Sequence, residues 1–289
     1  MTIYFYAKTD NRLGLDRLRR TAALARELQK EYEVYFMTTE FRSATYAKRV
    51  LGIEKAVGIE DFRNIGTVCE RGDVIIYDSD EHNETIHQEM IDYFGKFFRI
   101  SYDPKDMPKE GEILISPHIV GTDVINAVLV DSHYFEAASK ELRLFFYGDS
   151  DYERRMLDIA PKFARFDLDL LEGFYFFVDM EEKLNDFFNN IYESEEYPDL
   201  VPQASLFITH SPQAALEAAA GGAKVIYFGT DEEYAPLFDR INVRNIGVFD
   251  PSRLQEALLA STSAATEYLQ KLGVEQCAAQ IIQRMKSGA

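Results

Sequence analysis

From end to end, short apolar runs alternate with amphipathic segments of helical period, and this alternation limits the fold more than any other feature. "TIYFYA" (Thr2–Ala7) reads as a buried strand. Leu15, Leu18, Ala22, Ala25 and Leu28 then recur at helical spacing and define a helix packed by that stripe. "VYFMT" is the next strand, and "SATYAKRVLG" a short helix closed by Gly52. "DVIIYD" follows the turn "RG", and after it come the helical "NETIHQEMIDYFG" and the strands "FFRIS" and "EILIS". Strands separated by helices of this length imply parallel βαβ units.

A second series begins near "LRLFFYGDSD", whose strand Leu142 to Tyr147 leads into a polar turn and a helix. "GFYFFVD", "SLFITH", "AKVIYFG" and "RNIGVFD" are the later strands, with "SPQAALEAAAGG" and "DEEYAPLFDRI" as helices between them. A long helical segment from about Ser261 to Met285 ends the chain, and the acidic "YESEEYPD" reads as a solvated loop. The expected architecture is α/β, with Rossmann-like domains over 1–134 and 140–289. Ligands of such sheets bind beyond the carboxyl ends of the strands, here in a cleft between the domains.

Composition narrows the partners. A formal charge of −18 argues against nucleic acid or an anionic membrane, since both need a cationic surface, but leaves room for a basic pocket for a small anion. Cys69 and Cys277 are the only cysteines, which fits a reduced, cytoplasmic setting. The run Ile3 to Ala7 is too short for a signal peptide, and no run approaches transmembrane length. The histidines at 82, 87, 118, 133 and 210 form no ligand pattern, so no metal is expected.

Five turns carry residues with chemical potential. In "TDNRLGLDRLRR", Gly14 and the helix N–H groups could receive an anion, aided by Arg12, Arg17 or Arg20. The plainer alternative puts Arg19 and Arg20 on the wet face of the helix beside Asp16 and Glu27. "IIYDSDEHNE" places Asp78 and Asp80 at a strand end, where a carboxylate serves as base or sugar-hydroxyl partner, and Asp80 also suits a helix cap. His118 in "LISPHIVGTD" is a loop histidine, either a base or a structural residue. In "FYGDSDY", Gly148 permits close approach by a ligand, and Ser150 or Asp151 suits a cap. In "ITHSPQAALE", Ser211 and Pro212 start a helix directly after a strand. Glu217 lies nearly two turns further on, where it either meets a ribose or makes only local contacts. No GxGxxG, Walker A loop, nucleophile elbow or Ser/His/Asp arrangement is present.

Taken in order, these segments resemble the GT-B nucleotide-sugar family that includes the UDP-sugar hydrolase of the pseudaminic acid pathway and spore-coat polysaccharide relatives. "RRTAALARELQKEYEVYFMT" is similar to that family's R-x-x-x-L-A helix and following strand. "DVIIYDS…EMIDYFGKFFRISYD" is similar to its middle segment, "LFFYGDSD" to its GGxD turn, and "ASLFITHSPQAALEAAAGGAKVIYF" to its nucleotide-binding strand and helix. The resemblance implies two Rossmann-like domains facing across a cleft, with UDP held mainly by the second. A GT-B arrangement also carries the last helix back to the first domain. Metal-independent inverting chemistry is implied too, with a UDP-sugar as substrate, no separate cofactor, and helix dipoles stabilising the leaving diphosphate.

The chain departs from this pattern at specific positions. The family's I-G-x-G-H-x-x-R falls on Leu13 to Arg20: Gly14 and Arg20 match, the second glycine is Asp16, and the catalytic histidine is Arg17. Arginine stays protonated and serves no general-base role, although it can clamp a diphosphate or a carboxylate. The family's G-G-S-T-x-x-E falls on Ser211 to Glu217, keeping the ribose glutamate but placing Pro212 and Gln213 in the phosphate cradle. The later N-Q falls on Glu232 and Glu233, an acidic patch that would repel a diphosphate if it faced the cleft. The resemblance thus implies nucleotide contacts from Gly14, Gly148, Asp149, Ser150, His210, Ser211, Gln213 and Glu217. Asp16, Asp78 and His118 are the candidate bases, and Arg17 a candidate clamp. The expected partner is a nucleotide sugar of surface glycan biosynthesis, bound by a glycosyltransferase or UDP-sugar hydrolase. The alternative is a non-catalytic relative that binds a sugar nucleotide or another protein.

Overall fold

The computed structural model describes residues 2–136, 140–176, 181–260 and 264–286. The chain divides into two compact units. The first comprises 1–10, 17–132 and 271–289, and the second 11–16 and 133–270. The turn between the first strand and the first helix therefore groups with the second unit.

The first unit holds a seven-stranded sheet. Its strands are β1 (Thr2–Ala7), β2 (Glu33–Thr38), β3 (Ala56–Gly58), β4 (Val74–Asp78), β5 (Lys96–Ile100), β6 (Glu112–Ser116) and β7 (Val124–Asn126). They lie in the order β3-β2-β1-β4-β5-β6-β7, all parallel. Helices on the strands' flanks explain the burial of Val74 through Asp78 and of Glu112 through Ser116 without alternation. The expected stripe holds: Leu18, Ala22, Ala25 and Leu28 are the buried side of the Asp16–Leu28 helix. Arg19 and Arg20 are buried as well, so neither lies on a wet face. Asp80 does not cap the Glu84–Tyr93 helix; Asn83 does, its side chain accepting from the Ile86 N–H at 2.9 Å.

The second unit repeats the plan with β8 (Leu142–Phe146), β9 (Asp169–Leu171), β10 (Ile191–Tyr192), β11 (Ala204–Thr209), β12 (Lys224–Tyr227) and β13 (Arg244–Asn245). The order β10-β9-β8-β11-β12-β13 is again all parallel. Phe145, Phe163, Phe188, Phe207, Ile208 and Ile226 are buried at its centre. The strand expected at "GFYFFVD" is displaced: β9 precedes it, and Gly173 to Phe176 form a turn pinned by Tyr175 N–H donating to Asp149 O at 2.9 Å. The rest of that segment, and the start of the last helical segment at Ser261, lie outside the described residues. That last segment is two helices, Thr266–Lys271 and Val274–Lys286, which part at Gly273. "YESEEYPD" is not a simple loop, because it carries short helical turns and a fully buried Tyr197.

In each sheet the strand order reverses once, between β1 and β4 and between β8 and β11. Open parallel sheets bind ligands at such switch points, beyond the carboxyl ends of the strands.

Candidate functional site

The two switch points differ. In the first unit, the register sets Ala7 beside Asp78. Asp78 there receives Arg20 Nε and an Arg20 terminal nitrogen, each at 2.6 Å, and Thr21 Oγ1 at 2.9 Å. Arg20 also lies over the Tyr102 ring at 4.6 Å. Arg17 donates to Asp80 at 2.8 Å, which holds the Asp80 carboxyl down at about 2. Asp78 is thus a buried partner held by three donors, and Arg17 is an ion-pair partner of Asp80. His118 sits half-buried in the loop after β6, its N–H donating to Ser116 Oγ at 3.3 Å.

In the second unit the switch point opens into a pocket of about 550 Å³. Gly14, Asp16, Gly148, Asp149, Ser150, His210 and Ser211 all line it. The fold thus brings these seven expected residues together, from turns far apart in sequence. Arg17, Asp78 and His118 belong to the first unit and do not line this pocket. Gln213 and Glu217 do not line it either. Glu217 is buried under the helix it belongs to, where its two oxygens accept from Tyr197 OH at 2.6 Å and Gln213 Nε2 at 2.9 Å.

Local chemistry explains the pocket's shape. Ser211 caps the Pro212–Ala220 helix, its Oγ accepting from Ala214 N–H at 3.0 Å. Gly148, with φ of 136°, turns the chain sharply after β8. Gly173 backs this turn so closely that a Cβ would lie 2.1 Å from Gly148 O. Asp151 accepts from Arg155 N–H at 2.8 Å and Met156 N–H at 2.9 Å, starting the next helix. Even so, burial raises its carboxyl above the ordinary range. Asp149 accepts from Leu15 N–H at 3.3 Å and Phe174 N–H at 3.4 Å. Asp16 accepts from Ser211 Oγ at 2.6 Å and Gln213 N–H at 3.2 Å.

The wall also includes Tyr147, Tyr152, Glu153, Arg155 and Asp231, which sequence reasoning did not single out. Tyr147 directly follows β8, and that strand-end position is the one signal that pointed to it. Its ring lies 5.4 Å from that of His210, and Arg12 lies 4.7 Å over the Tyr152 ring. Five carboxylates against two arginines make the wall acidic. Among the described residues, no three His, Cys, Asp or Glu side chains are grouped as a metal would need, and no helix is long and apolar enough to cross a membrane.

No family model matches the sequence, and no curated protein sequence is similar to it. Solved structures match over nearly the whole chain. The UDP-GlcNAc 2-epimerase of Methanocaldococcus jannaschii, solved in complex with UDP-GlcNAc and UDP, has a TM-score of 0.65 at 13% identity, covering 99% of this chain and 100% of that one. The glycosyltransferase SnogD from Streptomyces nogalater has a TM-score of 0.54 at 14% identity, covering 98% and 99%. AviGT4, a glycosyltransferase involved in avilamycin A biosynthesis, has a TM-score of 0.54 at 14% identity, covering 99% and 97%. The fold is GT-B-like. Identities this low establish the fold and leave the chemistry to the site itself.

Proposed function

We propose that this chain is a nucleotide-sugar protein of glycan biosynthesis, a metal-independent glycosyltransferase or UDP-sugar hydrolase related to the pseudaminic acid and spore-coat enzymes. The observation that carries the reading is the pocket at the β8/β11 switch point, bounded by the Gly148 turn and the Ser211-capped helix. In this reading the backbone of Gly148 approaches the diphosphate, and Tyr147 and His210 offer faces to the base or the sugar. Ser211 and the first turn of its helix stabilise the leaving diphosphate.

One observation favours a second reading. Residue 17 is an arginine paired with Asp80, and Asp78 is held by Arg20 and Thr21, so neither is placed to take a proton. Of the candidate bases outside the pocket wall, His118 then remains. Asp16, in the pocket wall, is the other candidate, and without either base the chain is a non-catalytic relative that binds a sugar nucleotide or another protein.

Calorimetric titration with UDP and a UDP-N-acetylhexosamine, paired with an assay for UDP release, tests both. Binding that is lost in His210→Ala and Ser211→Ala supports the nucleotide reading. UDP release that disappears in His118→Ala supports catalysis, and binding without release supports the second reading. Wild type that binds neither ligand overturns the nucleotide reading.

A further inference from the structure

We propose that Asp16 is a specificity-determining residue: its carboxylate takes the position of a bound phosphate in the pocket, so a diphosphate ligand binds only by displacing it. The inference rests on the pocket being the ligand site proposed above.

The donors at the start of the Pro212–Ala220 helix are all accounted for. Pro212 has no N–H. Gln213 N–H donates to Asp16 Oδ2 at 3.2 Å, and Ala214 N–H donates to Ser211 Oγ at 3.0 Å. Ala215 N–H donates to Ser211 O at 3.1 Å, the first regular bond of the helix. The Ser211 hydroxyl proton is directed to Asp16 Oδ1 at 2.6 Å. A carboxylate therefore bridges a hydroxyl and a backbone N–H at a helix N-terminus, which is how a phosphate would use the same two donors.

The same solution recurs around the pocket. Asp149 takes the N–H groups of Leu15 and Phe174, and Asp151 takes those of Arg155 and Met156. Three pairs of donors at the carboxyl end of this sheet are satisfied by the chain's own carboxylates. An incoming diphosphate must reach the Ser211 and Gln213 donors past a fixed negative charge, whereas an uncharged ligand carries no such penalty.

The test compares wild type, Asp16→Asn and Asp16→Ala by titration with inorganic pyrophosphate, UDP and uridine. Asparagine keeps the shape and one acceptor, so its fold is retained if a thermal melt stays close to wild type. The expected result is a gain of about tenfold or more for pyrophosphate and UDP in both variants, with uridine unchanged within about twofold. Pyrophosphate affinity equal across folded proteins overturns the proposal. Equal changes for pyrophosphate and uridine also overturn it, because they mark a loosened helix cap rather than a removed charge. A pyrophosphate gain with no binding of UDP or uridine by any protein leaves the Asp16 assignment standing and overturns the nucleotide reading instead. Wild type that binds UDP, with affinities unchanged in the variants, does the reverse.

Discussion

Arg20 grips Asp78 side by side, its Nε and one terminal nitrogen each 2.6 Å from a different carboxylate oxygen. Both residues are buried, and Thr21 Oγ1 adds a third donor at 2.9 Å. Removing one partner strands the other charge in the interior. Asp78→Asn and Arg20→Met are each expected to cost about 3–5 kcal/mol in urea unfolding at neutral pH. The double variant Arg20→Met/Asp78→Leu should cost less than the sum. Losses under about 1 kcal/mol for both single variants would mean that the pair does not hold this end of the sheet.

A pH window follows from His82. Burial lowers its imidazole to about 4, helped by His87 and Arg99, with Lys109 adding to and Glu112 opposing the shift; Nδ1 lies 3.2 Å from Tyr77 OH. The unfolded imidazole titrates near 6.5, so between about 4 and 6.5 the unfolded chain binds the extra proton. This contribution is complete above pH ~6.5 and falls away as pH drops through the folded value; the full shift corresponds to about 3.4 kcal/mol, which solvent screening of the half-exposed ring reduces to about 1–2 kcal/mol. His82→Gln should lose less stability than wild type between pH 7.5 and 5 in matched denaturation curves. Parallel losses would place the titrating group elsewhere.

The long strands and the Ser211-capped helix were legible because their signals are local. Strands buried on both faces are apolar without alternation, and Ser-Pro after a strand is a helix start by its own chemistry. The strands β3, β7, β9 and β10 span two or three residues and carry no period to detect, and of the strand read at "RNIGVFD" only Arg244–Asn245 pair. Arg20 was misplaced, and the partners of Asp16 were not foreseen, for a different reason. Their partners lie 58 and 195 positions away, and only the pairing of β1 with β4 or the closing of the second unit brings them together. Charge type alone then favours the wet surface, and the tertiary partner overrules it.

Gly173 supports the floor of the pocket from behind. An added Cβ would meet Gly148 O at 2.1 Å and Asp149 Cα at 2.8 Å, both backbone atoms that cannot turn aside. Gly173→Ala should cost about 1–3 kcal/mol and weaken ligand binding by shifting the Gly148–Asp149 turn. Unchanged melting and binding would show that the turn yields freely.

Glu217 separates two roles that one substitution can confuse. Its bonds to Tyr197 OH and Gln213 Nε2 are internal. Tyr197→Phe is expected to cost about 1–3 kcal/mol by leaving this carboxylate short of a donor. Glu217→Gln should shift stability by a similar amount while changing ligand affinity by less than about threefold, read by melting and titration together. A large affinity loss at unchanged stability would assign the glutamate to the ligand.

The most direct test of the pocket assignment is an amide nitrogen–proton correlation spectrum of the wild-type protein during titration with UDP-N-acetylglucosamine, because it detects weak binding and locates it. The account predicts saturable shifts centred on Gly148, Asp149, Gln213 and Ala214. Shifts confined to amides of the first unit, or none up to millimolar ligand, would contradict it.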